Sequence, residues 1–203
     1  MTWPVYTRRR GVVHVTRAES VYLTLDAGSV SLVISDGPYG MGKAAWDRQR
    51  GPDGLREWYA PHVEAWGRVC AEAASVYLWG TQRGVRALQP LMEGAGWEWR
   101  TAIIWNRQRT IATINPAVRP WADASEVCDF YTRGDPFRAK VPGALTNVWT
   151  TGLTERDAES LKGCRVEAGA LGHLTALHPC QKPLTFYDRI IRSSSRPGDL
   201  VLE

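Results

Sequence analysis

An acid, a turn and an aromatic ring directly follow a run of apolar residues in this chain. Residues 30–35 are predicted to form a buried strand, and the next four residues are Asp36, Gly37, Pro38 and Tyr39. An amino group attached to a purine or pyrimidine ring is a poor nucleophile because its lone pair is delocalised into the ring. The Asp36 carboxylate and a backbone carbonyl of the turn could accept hydrogen bonds from the two N–H groups and so draw the lone pair out of the ring, while Tyr39 stacks on the base. The tetrapeptide therefore predicts activation of a ring-bound amino group.

The same residue types are common in ordinary tight turns, so the tetrapeptide alone does not separate a catalytic loop from a turn after a strand. Further segments favour the catalytic interpretation. Residues 40–43 (GMGK) and the pair Trp46 and Asp47 follow the tyrosine, and residues 178–183 (HPCQKP) precede a predicted helix, a turn and a strand that ends in Glu203. The order of these blocks along the chain is itself informative.

In this order the blocks resemble DNA amino-methyltransferases, which carry Asp-Pro-Pro-Tyr or a close variant and methylate adenine N6 or cytosine N4 with S-adenosylmethionine. The HPCQKP segment resembles the start of the cofactor half in members whose active-site motif comes first. Gly37 departs from the family pattern, where proline is usual, and it loosens the turn because glycine restricts the backbone less. Catalysis is expected to survive this change, since the acid, one proline and the aromatic ring remain.

The resemblance implies a role for individual residues. The catalytic set would be Asp36, Gly37, Pro38 and Tyr39, and the cofactor-binding set Asp36, His178, Gln181, Lys182 and Glu203. For Lys182 the alternative is a solvated position at a helix start. The DNA-binding set would be Lys43, Trp46, Arg107, Arg109 and Arg119, the arginines lying in a segment rich in Thr, Asn and Pro, where they could contact phosphates. The alternative for the arginines is a solvated face.

The expected substrate is adenine N6 in double-stranded DNA, because the first residue of the motif is aspartate, whereas serine is more frequent among the cytosine enzymes. Three alternatives stay open: cytosine N4, a catalytically silent DNA-binding homologue, and half of a split enzyme. Enzymes with related motifs that act on RNA or glutamine place the cofactor loop before the Pro-Tyr motif. The residues before Asp36 contain no glycine-rich turn after a strand, which argues against them.

Composition agrees with a single globular domain over residues 1–203, with 44% apolar residues. No run approaches the roughly 18 apolar residues of a membrane span, and the start does not resemble a signal peptide, so a cytoplasmic location is expected. A net charge of +4 favours a polyanionic partner. The four cysteines lack metal-binding spacing, so no metal site is predicted. The tryptophans are interpreted as packing residues, not as a base-stacking platform.

Hydrophobic periodicity predicts an α/β fold, a Rossmann-like methyltransferase sheet. Strands are expected at 30–35, 75–79, 98–105, 126–131 and 200–202, with a further short strand near Trp149. Residues 12–15 and 20–25 are short candidates for two strands or for a strand and a turn. Helices are expected at 55–73, 83–93 and 184–194. Residues 133–177 break the alternation and are predicted to hold the target-recognition region, with an ordinary connecting insert as the alternative.

In the family, the strand that ends in an acid leads into a glycine-rich cofactor loop, whereas this sequence ends at Glu203. The fold is therefore expected to lack that C-terminal portion. A truncated record, a second polypeptide that supplies the loop and a degenerate homologue are three explanations. The expectation is weak or no binding of S-adenosylmethionine by residues 1–203 alone. A homodimer is also possible as a partner arrangement, and restriction-modification is one biological setting.

Overall fold

The computed structural model describes residues 5–8, 11–14, 16–42, 47, 51–107, 117–118, 120–139, 146–150 and 182–203. Its elements in chain order are β1 (Val5–Arg8), β2 (Gly11–His14), α1 (Ala18–Tyr22), β3 (Val30–Ser35), α2 (Gly51–Val69), β4 (Cys70–Gly80), α3 (Gln82–Gly94), β5 (Glu98–Asn106), β6 (Ser125–Arg133), β7 (Val148–Thr150), α4 (Leu184–Ser194) and β8 (Leu200–Leu202). The predicted α/β fold is confirmed. Within these ranges, no helix is both long and apolar enough to cross a bilayer.

Six strands form one sheet in the order β7-β5-β6-β4-β3-β8, and β1 and β2 pair as a separate antiparallel ribbon. Strand β3 pairs in parallel with both β4 and β8, and β5 pairs in parallel with β7. Among these six strands, β6 alone is reversed, antiparallel to β4 and β5. The carboxyl ends of β3, β4, β5 and β8 therefore meet the start of β6 at one edge of the sheet, which we call the catalytic edge.

Each face of the sheet buries its own apolar core. Helices α2 and α3 cover one face, where Tyr59, Val63 and Trp66 pack against Val33 and Val76. Helix α4 covers the other face, and its core comprises Leu32, Ile34, Tyr77, Trp79, Ile103, Trp105, Cys128, Trp149, Phe186 and Ile190. Alternate residues of β3 and β4 point into the two cores, as the two-residue period of a strand requires. Strand β3 is thus clamped from both sides, which fixes the loop that follows it.

Two predicted elements differ from the structure. Residues 20–25 were a candidate strand or turn. They form no strand: residues 18–22 form α1, a short helix in which Tyr22 alone is buried, and a turn follows at residues 23–24. The Tyr22 hydroxyl lies 3.1 Å from His62 Nδ1 and accepts a hydrogen bond from Trp66 Nε1 at 3.2 Å, so side-chain anchoring to α2 replaces sheet pairing.

The helix expected at 55–73 lies at Gly51–Val69 instead, and β4 begins at Cys70. Pro52 suits the first turn of a helix, where its missing N–H costs nothing, so α2 begins earlier than predicted. At the other end, Arg133 donates to the carbonyls of Cys70 and Ala71, both at 2.8 Å. These bonds hold the chain extended at residues where the apolar periodicity alone predicted that the helix would continue.

Among the eight tryptophans in the described part of the chain, five are buried, Trp58 is half-buried and two are exposed. Those at positions 66, 79, 97, 105 and 149 are buried, as predicted for packing residues. Two others depart from that prediction: Trp99, at the start of β5, is 41% exposed, and Trp121, between β5 and β6, is 79% exposed.

Candidate active site

Asp36 and Tyr39 lie at the catalytic edge, directly after β3. The Tyr39 hydroxyl donates to Asp36 Oδ1 at 2.8 Å and lies 3.2 Å from Glu126 Oε2. The Asp36 side chain keeps 24% of its surface exposed. The turn therefore presents a carboxylate to solvent beside a half-buried aromatic ring, as the sequence predicts.

A buried ammonium group forms an ion pair with the Asp36 carboxylate. Lys182 Nζ lies 3.0 Å from both Asp36 oxygens and 3.1 Å from Glu126 Oε2, and its side chain is 0% exposed. The solvated position considered for Lys182 is therefore wrong. Lys182 immediately precedes Pro183 and helix α4. Its ion pair with Asp36 therefore connects the turn after β3 to the start of α4.

Glu126 was not predicted as a site residue, and it comes to the site because β6 is reversed. As the second residue of β6, it lies at the catalytic edge opposite Trp105 of β5. Its other oxygen accepts a hydrogen bond from Arg107, whose guanidinium also stacks on the Trp105 ring, 4.6 Å from the ring centre. The negative charges of Asp36 and Glu126 thus balance the positive charges of Lys182 and Arg107 in a largely buried cluster, as buried charges require. Arg107, predicted to contact phosphate, has an ionic partner within the protein.

The Tyr39 phenol is held in its protonated form. Burial raises the pKa of Tyr39 well above its usual value, and the negative charges of Asp36 and Glu126 raise it further. The hydroxyl can therefore donate to either carboxylate throughout the physiological pH range.

A second carboxylate shapes the loop after Tyr39. Asp47 Oδ1 accepts hydrogen bonds from the backbone amides of Tyr39 at 2.8 Å and Gly40 at 2.7 Å, and Oδ2 accepts from Met41 at 3.1 Å. Asp47 is only 3% exposed. Its own carbonyl accepts from Gly42 N at 2.8 Å, which closes the loop. Three consecutive amides directed at one carboxylate fix the backbone of the residue that carries the aromatic ring.

Gly37 is explained by close packing. A Cβ atom at this position would lie 2.4 Å from the Tyr59 hydroxyl oxygen and 3.3 Å from Trp58 Cζ3. Tyr59 is buried in the α2 core and cannot simply move aside. The sequence suggested a looser turn; the structure instead shows that helix α2 fills the space a proline ring would need.

A cleft of about 660 Å³ opens beside Asp36, on the face covered by α2. Residues at the ends of three strands and on helix α2 bound it. These are Ser35 at the end of β3 with Asp36 and Gly37 after it, Leu202 and Glu203 at the end of β8, His14 at the end of β2 with Thr16 after it, and Trp58, His62 and Trp66 of α2. This location fits the rule that ligands of α/β sheets bind outside the carboxyl ends of adjacent parallel strands. The volume lies in the range of small-molecule sites.

Glu203 belongs to this cleft. Burial raises the pKa of the Glu203 carboxyl, a hydrogen bond from Tyr187 lowers it, and the negative charge of Asp36 raises it. Asp36 and Glu203 thus place two acidic groups on one cleft, one from each of two adjacent parallel strands.

The predicted site residues fall into two groups. The structure brings Asp36, Gly37, Pro38, Tyr39, Lys182 and Glu203 together at one edge, and Arg107 adjoins them through Glu126. Lys43, Trp46, Arg109, Arg119, His178 and Gln181 lie outside the described residues. Glu126 and the cleft residues Trp58 and His62 were missed. An acid as the first residue of the predicted strand 126–131 was the available signal for Glu126.

Solved structures with the same fold are methyltransferases. The cytosine-N4-specific PvuII DNA methyltransferase has a TM-score of 0.64 at 14% identity, over 92% of this chain and 71% of that one. The complex of M1.HpyAVI with SAM has a TM-score of 0.56 at 15% identity, over 91% and 74%. A putative DNA modification methylase from Thermus thermophilus, complexed with S-adenosyl-L-methionine, has a TM-score of 0.54 at 15% identity, over 91% and 74%. The fold is therefore of the methyltransferase class.

The family follows from the sequence itself. The family model described as DNA methylase, for the N6 and N4 methyltransferases, matches residues 30–203. The chain belongs to this family, which confirms the resemblance drawn from the motif and its block order. No curated protein matches the chain significantly.

The packing of Gly37 predicts a specific stability change. Gly37→Ala should lower the free energy of unfolding by about 1–3 kcal/mol, because the new methyl group meets the Tyr59 hydroxyl. Urea unfolding measures the change. Tyr59→Phe in the Gly37→Ala background should restore part of the loss. Gly67→Ala, at a position in α2 with open space around it, serves as control and should not destabilise. Equal behaviour of the two alanine variants would contradict the packing argument.

The Asp47 bonds predict a positioning role. Asp47→Ala should lower kcat for methylation by roughly 10²-fold, because the Tyr39 backbone loses its support, while KM for the cofactor stays near the wild-type value. The kcat of Asp47→Asn should lie between those of the wild type and Asp47→Ala, since one side-chain oxygen can still accept hydrogen bonds from the amides of Tyr39 and Gly40. Steady-state kinetics with both variants tests this, and an unchanged kcat in Asp47→Ala would refute it.

The buried ammonium predicts strong coupling between Lys182 and Glu126. Lys182→Met should lower the free energy of unfolding by about 3–5 kcal/mol, because two carboxylates then lose their shared cation. The Lys182→Met/Glu126→Gln double variant should lose less than the sum of the single changes. Arg192→Met, which breaks an exposed ion pair in α4, is the control and should have no measurable effect. Additive losses in the double variant would exclude the pairing.

Proposed function

We propose that this protein transfers a methyl group from S-adenosylmethionine to the N6 amino group of adenine in double-stranded DNA. The observation that carries the proposal is the partly exposed Asp36 carboxylate at the carboxyl end of β3, held by Lys182 and flanked by Tyr39. Family membership supports methylation of an exocyclic amino group in DNA. The choice of adenine follows the aspartate at the first motif position.

The cleft beside Asp36 fits the proposed cofactor. S-adenosylmethionine supplies an electrophilic methyl group on a positively charged sulfur. Asp36 and Glu203 provide negative charge in the cleft, which suits a cationic ligand. Trp58 and His62, whose rings lie 4.2 Å apart between centres, provide an aromatic wall for a planar group. His178 and Gln181 remain further candidates for this site on the family resemblance.

The chain's own residues can perform the remaining steps. Asp36 would accept a hydrogen bond from one N–H of the target amino group. A backbone carbonyl of the turn, at Gly37 or Pro38, would accept from the other N–H. Together these bonds make the nitrogen lone pair available. The Tyr39 hydroxyl donates its hydrogen bond to Asp36 Oδ1, but it can donate instead to Glu126 Oε2, 3.2 Å away. Asp36 Oδ1 is then available to the target amino group. The Tyr39 ring then stacks on the extruded base.

The proton balance follows from the same geometry. A nitrogen–carbon bond forms at the amino group as the sulfur–carbon bond breaks, and the nitrogen then carries one proton more than the neutral product. Asp36 is the acceptor already bonded to that N–H, so it is the first recipient of the proton before solvent. No nucleophilic residue is required in this sequence of steps.

The remaining assignments extend the same proposal. Lys43, Trp46, Arg109 and Arg119 are candidate DNA contacts, residues 133–177 are the candidate target-recognition region, and residues 1–203 are treated as one domain. A cytoplasmic location belongs to the same proposal. A homodimer or a second polypeptide remains a candidate partner arrangement.

The decisive experiment combines activity with product analysis. The purified protein, both alone and together with a C-terminal extension or second polypeptide that supplies the cofactor loop, is incubated with tritiated S-adenosylmethionine and unmethylated genomic DNA. The DNA is then digested to nucleosides for mass spectrometry. We expect N6-methyldeoxyadenosine. N4-methyldeoxycytidine would overturn the choice of base, and incorporation into neither base would overturn the function.

Asp36→Ala should lower the methylation rate by at least about 10²-fold, because the amino group loses its main acceptor, while DNA affinity stays unchanged. The control is Glu64→Ala, which removes an exposed acid of α2 and should retain wild-type turnover. Turnover in Asp36→Ala close to that of the control would refute the role of Asp36.

A further inference from the structure

Trp121 is an exposed aromatic side chain, whereas five of the eight tryptophans in the described residues are buried. It is 79% exposed, and the nearby Val118 is exposed as well. Both side chains leave apolar surface open to solvent, where a partner could cover it. An indole presents a broad flat surface with little conformational freedom, which suits stacking.

The topology places Trp121 near the active site. The segment that carries it leaves the sheet at Asn106, the end of β5, and returns at Ser125, the start of β6, and these two residues are paired. Arg107 N donates to Ala124 O at 2.9 Å, which closes the base of this segment at the catalytic edge. Four residues span at most about 14 Å, so Trp121 lies within that distance of Ser125. The adjacent Glu126 lies 3.2 Å from the Tyr39 hydroxyl.

The charge of the same segment fits a polyanion. Between positions 108 and 124 the sequence contains two arginines, Arg109 and Arg119, against the single acid Asp123, and the chain as a whole carries +4. Arg107 is not counted, because it pairs with Glu126. Exposed aromatic surface within a positively charged stretch is the combination that binds unstacked nucleic-acid bases.

We propose that Trp121 stacks on DNA bases next to the nucleotide that is extruded into the active site. This inference rests on the proposed function, because extrusion of the target base is what exposes the faces of its neighbours. Trp121 would cover one of those faces and so stabilise the opened duplex, as apolar side chains do when they enter a disrupted base stack.

The test compares Trp121→Ala with Trp99→Ala, a matched control. Trp99 is also exposed but lies at the start of β5, the opposite edge of the sheet. The probe is sheared genomic DNA from a methylase-deficient strain, and affinity is measured by filter binding over a range of salt concentrations. We expect Trp121→Ala to weaken binding about tenfold. The slope of affinity against salt should not change, because no phosphate contact is lost. Trp121→Phe should recover most of the affinity, and Trp99→Ala should bind like the wild type.

Each outcome separates this inference from the proposed function. Wild-type affinity in Trp121→Ala, or an equal loss in Trp99→Ala, would overturn the stacking role even if the wild-type protein methylates DNA. A reduced salt slope in Trp121→Ala would also overturn it, since the side chain would then support phosphate contacts. Trp121-dependent binding by a protein that methylates no DNA would uphold the contact and overturn the function. Absence of wild-type binding would overturn the inference itself.

Discussion

The ammonium group of Lys182 joins three distant parts of the chain. It lies between the carboxylates of Asp36, which follows β3, and Glu126, which begins β6, and it enters the site from the start of α4. A fully buried cation is stable only where opposite charges surround it. The turn after β3, the reversed strand and the helix on the opposite face must therefore assemble together. The position of the Asp36 carboxylate therefore depends on the packing of all three segments.

Two further constraints complete the turn. Asp47 draws three backbone amides toward one carboxylate, and Tyr59 fills the space beside Gly37. One constraint acts from the loop and the other from the core beneath helix α2. The family pattern usually relies on a second proline to stiffen this turn. Here rigidity comes from hydrogen bonds and packing around a glycine, so a more permissive residue does not imply a more mobile loop.

Sequence reasoning reached the fold and the centre of the site for physical reasons that can be stated. Strand β3 and helices α3 and α4 have strong periodicity, and a short acidic turn after β3 must lie at the carboxyl edge of the sheet. Helix α1 was missed because its formation depends on Tyr22 reaching His62 of α2, a contact between distant residues. Glu126 was missed for a similar reason: it reaches Tyr39 only because β6 runs antiparallel to β4, a pairing that local pattern does not encode. Contacts set by register and by buried charge are the part that a single sequence conceals.

The contact between position 37 and Tyr59 limits how this loop can be redesigned. The β-carbon of a proline at position 37 would lie 2.4 Å from the hydroxyl oxygen of Tyr59 in its present place, closer than two such atoms can approach. The residue at position 37 and the side chain at position 59 therefore depend on each other. Grafting the proline-containing motif of a relative onto this chain would consequently fail unless its helix came with it.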